Sequence, residues 1–191
     1  VQRITHENGA VLIFDEIRTG FRMALGGAQE YFGVTPDMAT VSKAIANGYP
    51  ISAVVGRRDV MQVAETTRLS STFLVNTFPM AAAIETIQVL QEEQGVARMW
   101  ELGKRLMEGL QDIVNEAGID ARIMGAPPLP YLRFPEADSE LKKQFFITAA
   151  QNGVLLHPNH CWFLSLGHTE QDIERTLDVS RDSLKIAKKS L

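Results

Sequence analysis

The chain has 191 residues, 45% of them hydrophobic and 22% charged, with 19 basic against 23 acidic side chains and a formal net charge of −4. That composition excludes disorder, which goes with few apolar residues and a large net charge, and it leaves no cationic excess to neutralise a nucleic-acid backbone. No run reaches the ~18 apolar residues of a membrane span, and the lone Cys161 excludes an internal disulfide framework or a multi-cysteine metal site.

The opening, Val1-Gln2-Arg3-Ile4, has no initiator methionine and no signal-peptide pattern. It reads as the tail of a helix running into a strand, in a chain cut upstream, and a cytoplasmic protein is the expectation. Ala10 to Phe14 is a continuous apolar run ending in Asp15-Glu16, as expected of a parallel strand buried on both faces. A glycine-rich connection through Gly20, Gly26 and Gly27 leads to a short helix at residues 28–32. Residues 37–42 read as a second strand with Lys43 at its carboxyl end, residues 51–56 as a third, and residues 58–64 as a short helix. Strands alternating with helices predict an α/β sheet.

The second half changes character. Met80, Ile84, Ile87 and Gln91 mark one helical face, and Met99, Leu102, Leu106, Leu110 and Ile113 mark another, with Gly95 between the two helices and Gly118 closing the second. Short strands at 121–124 and 131–134 flank a proline-rich Pro127-Pro128-Leu129-Pro130. Asp138 is placed to cap a helix containing Leu141, Phe145 and Ala149. Residues 154–156 and 162–164 read as paired strands. Thr169 with Asp172 forms a capping-box start to a last helix that buries Ile173, Leu177 and Leu184.

Two residues stand out by position. Asp15 ends the first strand and Lys43 follows the second, and open α/β sheets bind ligands just beyond the carboxyl ends of their strands. From spacing alone this is equally a converging pair of site residues or a partly buried ion pair. His157, His160 and His168 lack helix spacing and nearby carboxylates, so no metal site is expected. Arg18, Arg22 and Arg133 have surface or structural roles as their default reading, with a two-pronged contact to a substrate carboxylate as the alternative; Arg133, in a strand of the second half, is the one to test first.

The segments Leu12-Ile13-Phe14-Asp15-Glu16-Ile17-Arg18-Thr19-Gly20-Phe21-Arg22 and Ser42-Lys43-Ala44-Ile45-Ala46-Asn47-Gly48-Tyr49-Pro50 resemble the two signature segments of class III (subgroup II) pyridoxal-phosphate aminotransferases. Residues 19–29, with 31–37, look specifically like the glutamate-1-semialdehyde 2,1-aminomutases and their close relatives. The similarity continues through Gly153-Val154 and Ser165 to Thr169 into the last helix.

The resemblance implies a partial fold-type-I large domain, a mostly parallel sheet with helices, over residues 1–92. A small α+β domain, starting with the linking long helix, would occupy 93–191. It implies pyridoxal 5'-phosphate as cofactor and amino-group transfer through a lysine aldimine. Lys43 matches the lysine of that aldimine, which acts as a nucleophile only when deprotonated and can then shuttle a proton. Asp15 matches the carboxylate that keeps the pyridinium nitrogen protonated, so that the ring accepts electrons. Ile17 matches the apolar residue packed on the ring, on the same side as Asp15 if the strand continues. Thr72, in Ser71-Thr72-Phe73, matches the threonine that binds the cofactor phosphate of the partner subunit in a homodimer with a shared site. Asn76 stands where the family has the asparagine of an Asn-Pro pair, but Thr77 replaces the proline.

Residues 157–162 form a shorter segment than the aminomutases carry there, and it contains no acid. An aminomutase-like aminotransferase, acting on an amino acid or amine with a keto or aldehyde partner, is therefore the expected activity. A glutamate-1-semialdehyde aminomutase is the alternative, and a catalytically silent assembly module is a second one. Members of this family are about twice as long as this chain, so weak cofactor binding by the chain alone is expected.

Overall fold

A computed structural model gives the structure of residues 1–67 and 70–189, in two units, Val1–Val96 and Ala97–Leu191. In the first, helix α1 (Gln2–Glu7) precedes strand β1 (Ile13–Asp15), which pairs in parallel with β2 (Met38–Val41), Asp15 lying opposite Thr40. Helix α2 (Ala28–Phe32) lies between these two strands in sequence. Strand β3 (Ala53–Gly56) pairs with β2 antiparallel, Val41 opposite Ala53. The mixed sheet follows from the connection. Residues 42–52 are too few for a crossover of a dozen or more; they fold into a 3₁₀ turn at Lys43–Ala46, with Asn47 and Gly48 at positive φ, and the Ser42 hydroxyl closes the loop by donating to Ile51 O at 2.8 Å.

The expected burial of the first strand on both faces is not found. Ile13 is 55% exposed and Val11 49%, because no element of the described residues covers that side of the sheet. Helix α3 (Arg58–Met61) tightens into a 3₁₀ turn over Gln62–Thr66, and α4 (Thr77–Glu92) packs on the Lys43–Ala46 turn. The buried face of α4 is Pro79, Ala83 and Leu90, not the face of Met80, Ile84, Ile87 and Gln91; Met80 and Ile84 are exposed. Small Ala83 suits close approach to the turn that buries Ala46, whereas Met80 and Ile84 of the bulkier stripe stay in solvent and Ile87 is half-buried.

Asp37 ties the entrance of β2 to its neighbours. Its carboxylate is buried and accepts from Leu12 N–H at 2.8 Å, His6 Nε2 at 2.9 Å and Arg57 Nη1 at 2.8 Å. The Leu12 amide first, then His6 and Arg57, hold its pKa at about 2, against an ordinary 3.8. A carboxyl whose folded pKa lies below its unfolded value stabilises the fold fully above the unfolded value and loses that contribution as pH falls through the folded one. The stability gap between the wild type and Asp37→Asn should therefore be open above about pH 4 and close as pH falls from there through about 2. Denaturation midpoints of the two proteins across this range measure it.

The second unit is laid on helix α5 (Gly95–Glu116), which buries Met99, Leu102, Leu106, Leu110 and Ile113 as its periodicity predicts. Gly118 closes it at a φ of 64°, with Ile119 N–H returning to Val114 O at 3.1 Å. A hairpin follows, β4 (Arg122–Ala126) and β5 (Leu129–Arg133), in register from Arg122 opposite Arg133 to Ala126 opposite Leu129. Helix α6 (Ser139–Gln151) packs on α7 (Glu170–Lys189), and Phe134, Phe145 and Phe146 form an edge-and-tilt aromatic cluster. Asp138 holds the N-cap position of α6 without a side-chain cap bond. At α7 the capping box is complete: Thr169 N–H donates to the Asp172 carboxylate at 2.8 Å and Asp172 N–H to the Thr169 hydroxyl at 3.2 Å.

Residues 154–156 and 162–164 are not paired strands. Trp162 N–H donates to Pro130 O at 2.8 Å and Leu164 N–H to Pro128 O at 3.1 Å, so the second segment lies beside β5. Pro128 and Pro130 have no N–H to donate in return, and a ladder cannot form.

Candidate active site

Asp15 and Lys43 sit at the same edge of the sheet, where β1 and β2 end side by side. The register puts Asp15 opposite Thr40, three residues before Lys43, and Glu16 N–H extends the parallel ladder by donating to Thr40 O at 2.9 Å. Lys43 opens the 3₁₀ turn at a φ of 52°, in the left-handed region that β-carbon-bearing residues rarely adopt. Conformations of this kind cluster at functional sites. The alternative of an Asp15–Lys43 ion pair falls away: both side chains are exposed, and no salt bridge joins them.

Asp15 is nonetheless oriented. One carboxylate oxygen, Oδ1, accepts Ile17 N–H at 3.0 Å, and among the described residues Oδ2 accepts no hydrogen bond. Strand geometry ends at Asp15, and residues 17–19 form a turn. Alternation therefore does not carry Asp15 and Ile17 to one side; their relation is the turn's hydrogen bond, and Ile17 is half-buried.

Thr72 is exposed in the turn that leads into α4, where Leu74 N–H donates to Ser71 O at 3.2 Å. Asn76 caps the helix, its side-chain oxygen accepting Phe78 N–H at 3.2 Å, and Thr77 takes the first helical position, where proline is favoured. The segment around Thr72 is strongly apolar and open to solvent, with Phe73, Leu74, Val75 and Phe78 all more than half exposed. Arg133 belongs to the second unit, exposed at the end of β5, where it faces Arg122 and makes no ion pair among the described residues. Among the described residues no group of three or more His, Cys, Asp or Glu is arranged to hold a metal ion, and no helix is long and apolar enough to cross a membrane.

One residue of this edge was not singled out by its position in the sequence. Glu16, between Asp15 and Ile17, is 1% exposed. Its carboxylate accepts the Thr19 hydroxyl, Ala28 N–H at 2.9 Å and Gln29 N–H at 2.9 Å, gathering the glycine-rich connection around itself. Gly27 has a φ of 79°, and a β-carbon there would stand 2.5 Å from Glu16 Oε2. The signal available in the sequence was a charged residue embedded between an apolar run and several glycines.

A family model for aminotransferase class III matches residues 1–177. The 3-aminobutyryl-CoA aminotransferase of Cloacimonas acidaminovorans (strain Evry) is 37% identical over 196 residues, covering 100% of this chain and 47% of that protein. The glutamate-1-semialdehyde 2,1-aminomutase of Methanococcoides burtonii is 37% identical over 200 residues, covering 97% of this chain and 47% of its own length. Among solved structures, the PLP internal aldimine form of FumI from Sphingopyxis sp. MTA144 superposes with a TM-score of 0.93 at 30% identity, over 98% of this chain and 46% of that one. An omega-transaminase from Sphaerobacter thermophilus gives 0.90 at 26% identity, with 98% and 47% covered. The chain thus spans about half the length of the curated relatives it matches.

Proposed function

Since the chain belongs to the class III aminotransferase family, we propose that it carries the lysine-bearing part of a pyridoxal-phosphate enzyme that moves an amino group from an amino acid or amine to a carbonyl acceptor. The observation that carries this reading is the pairing at the sheet edge. A primary amine held at a φ of 52° follows β2, and a carboxylate with one oxygen open ends β1. The donor set suits the cofactor: Asp15 Oδ2 would take the ring N–H, Lys43 Nζ would take the carbonyl carbon, and the Thr72 hydroxyl would donate to a phosphate oxygen. When bound, the cofactor supplies an electron sink for the substrate carbon.

The residues do the rest. Asp15, anchored through Ile17 N–H, holds a negative charge where the sink needs a proton kept in place. Lys43 Nζ, as the free amine, takes a proton from the amine-bearing carbon of the substrate and returns it one step later. The half-buried Ile17 offers an apolar surface beside Asp15 for the ring. Arg133 is the proposed partner of a substrate carboxylate. The exposed apolar run around Thr72 supports a homodimer in which that threonine serves the partner's site.

Two-substrate transfer is the preferred reaction, because residues 157–162 are short and lack an acid, and because a two-substrate aminotransferase is among the relatives. The aminomutase relatives favour the second reading, return of the amino group to a neighbouring carbon of the same molecule. Borohydride reduction of the full-length protein with pyridoxal phosphate, followed by peptide mapping, should place the reduced cofactor on Lys43. A label elsewhere, or none, overturns the assignment. Efficient turnover of glutamate-1-semialdehyde alone to 5-aminolevulinate would overturn the preference for transfer.

A further inference from the structure

Asp15 and Ile17 need something to hold the backbone between them, since the strand stops at Asp15 and residues 17–19 turn away. Glu16 is that something. Its backbone N–H is tied to Thr40 O of β2 at 2.9 Å, and its carbonyl accepts Gly20 N–H at 2.8 Å. Its side chain runs the other way, into the connection that follows. There it accepts the Thr19 hydroxyl and the N–H groups of Ala28 and Gln29, both at 2.9 Å. The surroundings are built to this carboxylate: β-carbons at Gly20 and Gly27 would come within 2.8 Å of Glu16 O and 2.5 Å of Glu16 Oε2 respectively. Every one of these bonds constrains the residue whose two neighbours are the proposed cofactor contacts.

We infer that Glu16 is a positioning residue for the cofactor site, acting through Asp15 and Ile17 by clamping the sheet edge to the 19–29 connection. The inference rests on the reading of Asp15 as the ring partner. A buried carboxylate accepting three donors cannot be replaced by an amide without setting an NH₂ against an N–H or O–H. Glu16→Gln therefore loosens the edge that carries Asp15 and Ile17, and outer residues that orient a site commonly change affinity by about ten-fold or more.

The test uses the protein carrying this chain at its full length, stripped of pyridoxal phosphate and titrated with it by absorbance and fluorescence. Glu16→Gln should raise the dissociation constant about ten-fold and shift the pH midpoint of the bound cofactor's absorbance. Thr19→Val, which removes one of the three donors, should move both in the same direction by less, and it stands in if Glu16→Gln does not fold. Asp37→Asn, which loses the buried contacts at the opposite end of β2, should lower stability and leave both readouts in place. Unchanged affinity and midpoint in the Glu16 and Thr19 variants overturn the inference, as does an equal shift in Asp37→Asn. A wild-type protein that takes up no pyridoxal phosphate overturns the proposed function, and this inference with it. Wild-type uptake with unaltered variants overturns this inference alone.

Discussion

Lys43→Ala, made in the full-length protein, should lower amino-group transfer at least about 10³-fold and abolish borohydride trapping of the cofactor. In the proposed roles two losses combine: the nucleophile that would hold the cofactor covalently, and the base that would move the proton. A small primary amine added to the assay should restore part of the proton-transfer rate, more so the more basic it is, because a diffusing base can do at molar concentration what a positioned one does in place. The fold should not suffer. Lys43 is exposed and makes no ion pair among the described residues, so its side chain contributes little to stability. Its backbone, at a φ of 52°, is another matter. Alanine keeps that strain and glycine releases it, so Lys43→Gly should be more stable than Lys43→Ala by about 0.5–1 kcal/mol. Thermal or chemical denaturation of the two variants measures the difference. A Gly variant no more stable than the Ala variant would show that the turn carries no strain at Lys43, and a Lys43→Ala protein that still transaminates would remove the residue from the chemistry.

How much of this was legible beforehand depends on how local its cause is. The buried face of α5 and the capping box of α7 rest on spacing within one element, and both are present as read. The carboxyl-edge positions of Asp15 and Lys43 follow from where two strands end, which apolar runs mark well. Orientation between elements is less local. Nothing in Ala53 to Gly56 says antiparallel; the tight Lys43–Ala46 turn does, through the length and closure of the loop. In place of the strand pair expected at 154–156 and 162–164, the second segment donates to Pro130 O in β5 and to Pro128 O in the turn before it, neither of which has an N–H to return, a constraint visible only once that neighbour is known.

The α4 face was misread because amphipathic spacing gives a stripe and not its partner. The chosen stripe held larger residues, while the tertiary contact selected Pro79 and Ala83. Glu16 is the instructive omission. Its neighbours on both sides are the proposed cofactor contacts, and the burial of a glutamate between them shows only when the three donors of the following connection close on it.

Gly103→Ala should be the most damaging of the conservative changes outside the site. Alanine in the interior of a helix normally gains about 0.8–1 kcal/mol over glycine. Here the β-carbon would overlap the carbonyl carbon and oxygen of Pro127 outright and stand 3.0 Å from its Cα. Those are backbone atoms of the turn between β4 and β5, and they have no rotamer to yield. Relief requires the hairpin to lift from α5, and the hairpin carries buried Leu129 and Leu132 against a unit whose core includes Leu102, Leu106 and Leu110. Overpacking of this kind costs about 1–3 kcal/mol and sometimes more. With backbone as the obstacle the upper end applies, and a net destabilisation of about 2 kcal/mol remains after the helix gain. Gly109→Ala is the internal control: its β-carbon would meet the Leu177 methyl groups at 2.6 and 2.7 Å, the far end of a flexible side chain that can rotate away. Its net effect should stay within about 1 kcal/mol of zero. Both tryptophans of the chain, Trp100 and Trp162, lie in the second unit and report on their surroundings there. Urea denaturation followed by tryptophan fluorescence should show a large loss of midpoint for Gly103→Ala and little for Gly109→Ala. Equal midpoints for the two would mean that the hairpin does not rest on α5 at Gly103.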